Sequence, residues 1–331
     1  MKSSIDENVD PFIVGFAIKD DSNIEELNWE AVKSATANVP GERRWIHLNR
    51  LSDEARAWLE GAGSLDPLIV NVLFQEDTRP RSTRLGEGFL INLRGANLNP
   101  GAEPEDLISL RIWATKDLIV TTRAYRIRAI EDLRDEFHSL NPPVTNGEIV
   151  CFLAERLTTR LEPIVGQLED QADELEAEWL DLNTPAPKLK LAEFRRSALS
   201  LRRYIAPQRE AISSFIRESG DFLSDESRLK LREVQDITTR FAEDLDLARE
   251  RAVVIQEQIV EQRAESMNQR LFVLAIISAI FLPLGFLTGL FGINIGGMPG
   301  VDSPYAFWLF ATFLVVVTGG LLYAFKRMNW L

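Results

Sequence analysis

From residue 271 to residue 301 the chain carries no charged side chain, and residues 271–293 are almost wholly apolar. An α-helix rises about 1.5 Å per residue, so that stretch can cross the roughly 30 Å of hydrocarbon in a bilayer. A second run, residues 305–325, is equally free of charge and long enough to do the same. A buried helix of a soluble core can be this apolar, but two such runs back to back predict a pair of transmembrane helices joined by a short loop. Two helices touch along a line and leave no lumen between them. Any aqueous path built from this chain therefore needs several copies around an axis.

The flanks orient the pair. Arg263 and Arg270 precede the first run, Lys326 and Arg327 follow the second, and the loop between them has no Lys or Arg. The positive-inside rule then places both ends of the hairpin in the cytoplasm. Tyr305, Trp308, Tyr323 and Trp330 fall where aromatic rings settle at a membrane interface. Residues 1–30 are acidic and show no apolar run behind a basic start, so no cleavable leader is expected and the N-terminus is expected in the cytoplasm, beneath an inner membrane. The single cysteine, Cys151, fits a reducing compartment.

The net charge is −13, and after residue 265 the only charged residues are Arg270, Asp302, Lys326 and Arg327, so the whole acidic excess lies before the membrane segments. Such a surface repels nucleic acid and attracts cations. No GxxxxGK[ST] phosphate loop, HExxH or paired-cysteine motif occurs, so neither a nucleotide partner nor an enzymatic site is expected, and no resident cofactor.

Residues 1–145 alternate short apolar runs with helical patterns, which predicts an α/β domain. Strands are expected at 12–18, 45–48, 89–94, 107–115 and 118–122, the last two joined in a hairpin at Lys116 and Asp117. Ser52 can cap a helix to Glu60, and Asp66 with Pro67 starts another to Phe74. From Glu148 onward Val150, Leu153, Leu157, Leu161, Ile164, Leu168, Ala172, Leu175 and Trp179 recur at spacings of three and four, the stripe of one long helix. Asn183 to Pro187 breaks it, and a second helix over 188–218 returns antiparallel.

A third helix starts near Ser224 and meets no Pro or Gly until Pro283, a length of roughly 90 Å. Phe241, Leu245, Ala248, Ala252, Ile255 and Ile259 give it a coiled-coil register, which turns polar at Gln262, Ser266 and Gln269. The expected organisation is an α+β membrane protein: an α/β domain over 1–145, a helical stalk over 146–266, a first span over 267–293, an external loop over 294–304, a second span over 305–325 and a basic tail over 326–331.

At the end of the first span stands Gly292-Ile293-Asn294, preceded by Phe281-Leu282-Pro283-Leu284 and followed by Met298-Pro299. With the tail Lys326-Arg327-Met328-Asn329-Trp330-Leu331 this resembles the CorA family of divalent-cation transporters, whose signature there is Gly-Met-Asn. Ile293 departs from the commonest form. That departure, with Thr78-Arg79-Pro80-Arg81, Arg84-Leu85-Gly86-Glu87-Gly88, Tyr204-Ile205-Ala206-Pro207-Gln208-Arg209 and the run from Phe286 to Gly292, looks like the ZntB branch of zinc transporters. The resemblance covers nearly the whole chain. It implies a funnel-shaped homopentamer whose third long helix lines the pore, with Gly292, Ile293 and Asn294 at the outer mouth, and zinc uptake linked to protons.

The residues themselves suit that role. A ring of Asn294 amides, with carbonyls exposed by Gly292, offers neutral oxygen dipoles that hold a hydrated divalent ion without trapping it. The simpler alternative is that Gly292 and Asn294 only end a helix. Along the first span Asn268, Leu271, Ala275, Ser278, Leu282, Gly285 and Gly289 share one face, the one with the small and polar residues, and this face is assigned to the pore. Leu271 and Leu282 are then hydrophobic constrictions, Asn268 a polar ring at the cytoplasmic end, and Gly285 with Gly289 a close-packing motif. Pro283 frees the carbonyl of Ala279, so a kink is expected there.

Zinc normally takes Cys and His ligands, yet neither span nor the loop holds either, and His47, His138 and Cys151 lie far apart before them. Zinc as cargo is therefore expected to cross largely hydrated, with Asp302 as the one acid at the mouth. The acid clusters around Glu169 to Glu178 and Glu243 to Asp246 read as solvated helix faces or, alternatively, as interfacial regulatory cation sites, answered by Arg202, Arg203 and the basic stretch 79–84. A magnesium, cobalt or nickel channel of the same architecture, and a non-conducting coiled-coil scaffold, are the rival readings.

Overall fold

The structure is a computed structural model that describes residues 10–19, 23–34, 39–76, 78–180, 188–292, 300 and 303–328. Strands β1 (Phe12–Lys19), β2 (Ile24–Glu26), β3 (Glu42–Asn49), β4 (Arg81–Leu85), β5 (Gly88–Gly95), β6 (Ile108–Ala114) and β7 (Leu118–Arg123) form one sheet in the order β2-β1-β3-β7-β6-β5-β4. β3 and β7 run parallel; the other described pairs are antiparallel. Five of these strands and the β6–β7 hairpin stand where the apolar runs predict them. β2 and β4 do not announce themselves, because they are the two edges: β2 is short and β4, Arg81-Ser82-Thr83-Arg84-Leu85, is largely polar and exposed. Gly86, at φ 59°, takes the first central position of the tight β4–β5 turn, where a left-handed backbone is required.

Helices cover both faces of the sheet. α1 (Trp29–Ser34), α2 (Asp53–Glu60) and α3 (Pro67–Phe74) bury Val32, Leu59, Val70 and Leu73 against Ile46, Leu48 and Val120. Ser52 and Asp66 cap α2 and α3 as their sequences predict, accepting the N–H groups of Ala55 and Leu68. On the other face lie α4 (Arg128–Glu136) and α5 (Asn146–Thr159), together with Ala211 to Ile216 and Leu231 with Val234 from two later helices, over Phe16, Trp45, Ile91, Leu110 and Ile112. Deeply buried Leu and Ile side chains contribute about 1.5–3 kcal/mol each, so this double layer fixes the domain.

The single helix expected from Glu148 onward is two. α5 stops at Thr159 and α6 runs over Glu162–Leu180. Pro163 has no N–H to donate to Thr159, and the chain instead turns tightly, with the N–H of Leu161 on the carbonyl of Thr158 at 2.9 Å. Arg160, freed at the break, grips Asp132 of α4 through Nε at 3.1 Å and Nη2 at 2.6 Å. The linker 183–187 lies outside the described residues. α7 (Lys188–Glu218) returns antiparallel beside α6, so that Lys190 near its start is paired with Glu178 near the end of α6.

α8 (Asp225–Gly292) is continuous over 68 residues, capped by Ser224 and unbroken across Pro283. Two compact units, Met1–Ile255 and Gln256–Leu331, divide the chain within it. Phe241, Leu245, Ala248, Ala252, Ile255 and Ile259 are all buried inside the single chain, whereas Gln262, Ser266 and Gln269 are exposed. In the first unit Arg202 of α7 pairs with Asp246, and Arg251 of α8 bonds Glu176 at 2.7 Å and Asp173 at 2.6 Å on α6. The second unit holds the end of α8 and α9 (Ala306–Arg327).

Candidate functional site: the uncovered side of α8

Among the described residues, α8 and α9 are the helices long and apolar enough to cross a membrane, and the most apolar stretch of neither is buried in the chain. Half-buried positions recur at helical spacing. On α8 they are Ile276, Ile280, Pro283, Leu284 and Leu287; on α9 they include Phe310, Leu314, Val317, Leu321 and Phe325. The rings of Phe291 and Phe310 meet at 4.8 Å.

A helix turns about 100° per residue, and that rotation puts Asn268, Leu271, Ala275, Ser278, Leu282, Gly285 and Gly289 on the side of α8 opposite its half-buried stripe. All seven are exposed, Leu271 at 52 % and Leu282 at 74 %. A methyl group added at Gly285, Gly289 or Gly292 meets no atom within 4 Å. The hydroxyl of Ser278 donates to the carbonyl of Leu274 at 2.8 Å. Gly292 is the last residue of α8; Ile293, Asn294 and Asp302 lie outside the described residues.

The same side also carries a row of exposed apolar residues. Val253, Val260, Met267, Leu274 and Phe281 are spaced by heptads and are 39 %, 59 %, 63 %, 60 % and 67 % exposed. The signal was present as a second apolar repeat, masked by the stronger buried one that starts at Phe241.

Among the described residues no group of three His, Cys, Asp or Glu converges as a metal-binding set. His47 is fully buried, its Nδ1 2.7 Å from the hydroxyl of Thr121; burial and then the charge of Arg123 hold its pKa well below the ordinary histidine value. Cys151 is buried, with Sγ 3.6 Å from the carbonyl of Ser227, and burial pushes the thiol up to about 12. His138 is exposed at the edge of Phe16. Of the acid clusters, Glu176 is held below its usual range by its hydrogen bond from Arg251, and burial raises Asp244. Arg202 does answer an acid, Asp246, whereas Arg84 donates to the Glu218 carbonyl at 3.4 Å.

The sequence profile described as CorA-like Mg2+ transporter protein matches residues 41–327, which takes in the sheet, the helical layers and both apolar helices. The chain belongs to this CorA family. Within it, the divalent cation transporter CmaX of Pseudomonas aeruginosa is 38% identical over 88% of this chain and 89% of its own length. The zinc transport protein ZntB of Pectobacterium carotovorum is 36% identical over 87% of this chain and 88% of its own length. A solved structure of full-length CmaX superposes with a TM-score of 0.82 at 34% identity, covering 98% of this chain and 100% of that one. The CorA fold thus accounts for the α/β layers, the long α8 and the terminal apolar pair together.

Proposed function

We propose that this CorA-family chain carries divalent cations, zinc foremost, across the inner membrane through an axial pore formed by several copies, with both termini in the cytoplasm. The observation that carries the reading is the uncovered side of α8: small and polar residues, opposite the half-buried stripe, on a helix apolar enough to span. Before the span, Val253, Val260 and Met267 at heptad spacing form an apolar strip that neighbouring copies of α8 would bury. Five copies match the family resemblance. Zinc is favoured over magnesium, cobalt or nickel by the similarity to ZntB and by Ile293 in place of Met.

In this mechanism the ion crosses largely hydrated. Leu271 and Leu282 narrow the path, Asn268 and Asn294 offer amide dipoles at its two ends, and Asp302 draws cations to the mouth. The spans hold no Asp, Glu, His, Lys or Arg within 271–293 and 305–325, so linked protons travel in pore water, in the ion's hydration shell, or by way of Asp302 and Glu265. The test is zinc uptake into liposomes holding the purified protein, with magnesium, cobalt and nickel as competitors and with or without a pH gradient. Uptake blocked most strongly by unlabelled zinc and accelerated by an inward proton gradient supports the reading; preferential block by magnesium transfers the assignment to magnesium.

A further inference from the structure

The parallel pair β3 and β7 carries a row of polar side chains that cation transport leaves unused. Side chains two apart on a strand share a face, and the register sets His47 beside Thr121 and Asn49 beside Arg123. Trp45, His47 and Asn49 therefore stand next to Thr121 and Arg123 on one face. The indole N–H of Trp45 donates to the hydroxyl of Thr121 at 2.9 Å, and that hydroxyl lies 2.7 Å from His47 Nδ1. Since Thr121 already accepts from Trp45, its own hydrogen is best donated to Nδ1. The imidazole proton then sits on Nε2, which is buried and has no acceptor.

The row ends at a second donor without an acceptor. Arg123 is half-buried, its Nη1 is buried and unpartnered, and the Nε of Arg50, the residue after Asn49, is likewise. Glu131, the first acid after Arg123 in sequence, is already held by Arg126 and by Arg128 at 3.0 Å. A buried guanidinium N–H without an acceptor is costly. The rest of the Arg123 side chain lines open space: a cavity of about 360 Å³ at the carboxyl ends of β3 and β7, lined by Phe12, Asn49, Arg123, Tyr125 and Arg126. The carboxyl ends of parallel strands are where open α/β sheets place ligands.

The lining gives the cavity a positive sign, with Arg123 and Arg126 against one carboxylate. The one lining carboxylate, Asp10, is exposed and has an oxygen committed to the N–H of Phe12 at 3.1 Å. We infer that this cavity binds the phosphate group of a small phosphomonoester, with the fork of Arg123 on two phosphate oxygens and the organic part over Tyr125. The volume sits at the lower end of the roughly 300–1,000 Å³ of small-molecule sites, more than a bare oxyanion fills. Tyr125, 64 % exposed, offers an open ring face beside it.

The experiment is calorimetric titration of the full-length protein in detergent with ribose 5-phosphate and, separately, with inorganic phosphate, at fixed ionic strength. Wild type should bind the sugar phosphate, and Arg123→Gln should weaken it by about tenfold or more, the loss expected for a charge-assisted hydrogen bond. Arg123→Lys, which keeps the charge without the fork, should fall between. It also carries the comparison if the Gln variant does not fold. Tighter binding of the sugar phosphate supports the inference; equal binding of the two probes overturns the ester assignment, because the organic part then contributes nothing. Failure of both probes to bind wild type, or unchanged affinity in both Arg123 variants, overturns the inference. Zinc flux is expected to be unchanged in these variants, so this outcome is separable from that of the transport reading.

Discussion

Cys151 and His47 are the two side chains a zinc-protein reading would reach for first, and their surroundings give each a different task. The thiol of Cys151 is 3 % exposed and is pushed up to about 12, chiefly by burial. The thiolate is the reactive form, so Cys151 should resist maleimide in the native protein and label fully once urea unfolds the domain; rapid native labelling would contradict the packing. His47 is neutral in the fold because burial, reinforced by Arg123, lowers its pKa. The unfolded chain takes up a proton near pH 6.5 that the folded chain refuses. Stability is therefore indifferent to this group above that pH and falls below it, by up to about 1.4 kcal/mol per pH unit. Comparing urea midpoints of wild type and His47→Gln between pH 7 and pH 5 checks this, and the variant should show the shallower decline.

At the scale of elements, two helical glycines test the packing in opposite directions. A Cβ at Gly147, in the first turn of α5, would stand 2.6 Å from the backbone carbonyl of Phe222, whereas one at Gly166 in α6 meets nothing within 4 Å. Gly147→Ala should cost about 1–3 kcal/mol by overpacking, and Gly166→Ala should gain up to about 1 kcal/mol from helix propensity. Thermal melts of the two variants should move apart. The same contrast of local signal and tertiary demand explains what could be read in advance. The bounds of α7 and the start of α8 were legible because Pro, Gly and a Ser cap mark them. The edges β2 and β4 were not, because an edge strand with one wet side needs no apolar alternation. The division of α5 from α6 was hidden because the apolar stripe passes through the break, and only Pro163 marks it. The face of α8 from Asn268 to Gly289 was legible because small and polar residues stand out in an otherwise apolar span, whereas the heptad of Val253, Val260 and Met267 lay in the shadow of the buried repeat.

At the scale of the whole molecule, the proposed pore sets the uncovered faces of α8 and α9 against lipid on one side and other copies of the chain on the other. Solution mass in detergent should show a pentamer; a stable monomer or dimer that still transports would exclude an axial pore. The central claim is that the ion passes along α8 and leaves or enters by the amide ring of Asn294. The most direct measurement of it is zinc flux into liposomes for wild type and for Asn294→Ala, both confirmed to have the same oligomeric mass. Wild type should take up zinc and the variant should lose most of that flux, because the helix contacts survive and the dipole ring does not. Undiminished flux in a correctly assembled Asn294→Ala, or none in wild type, would contradict it.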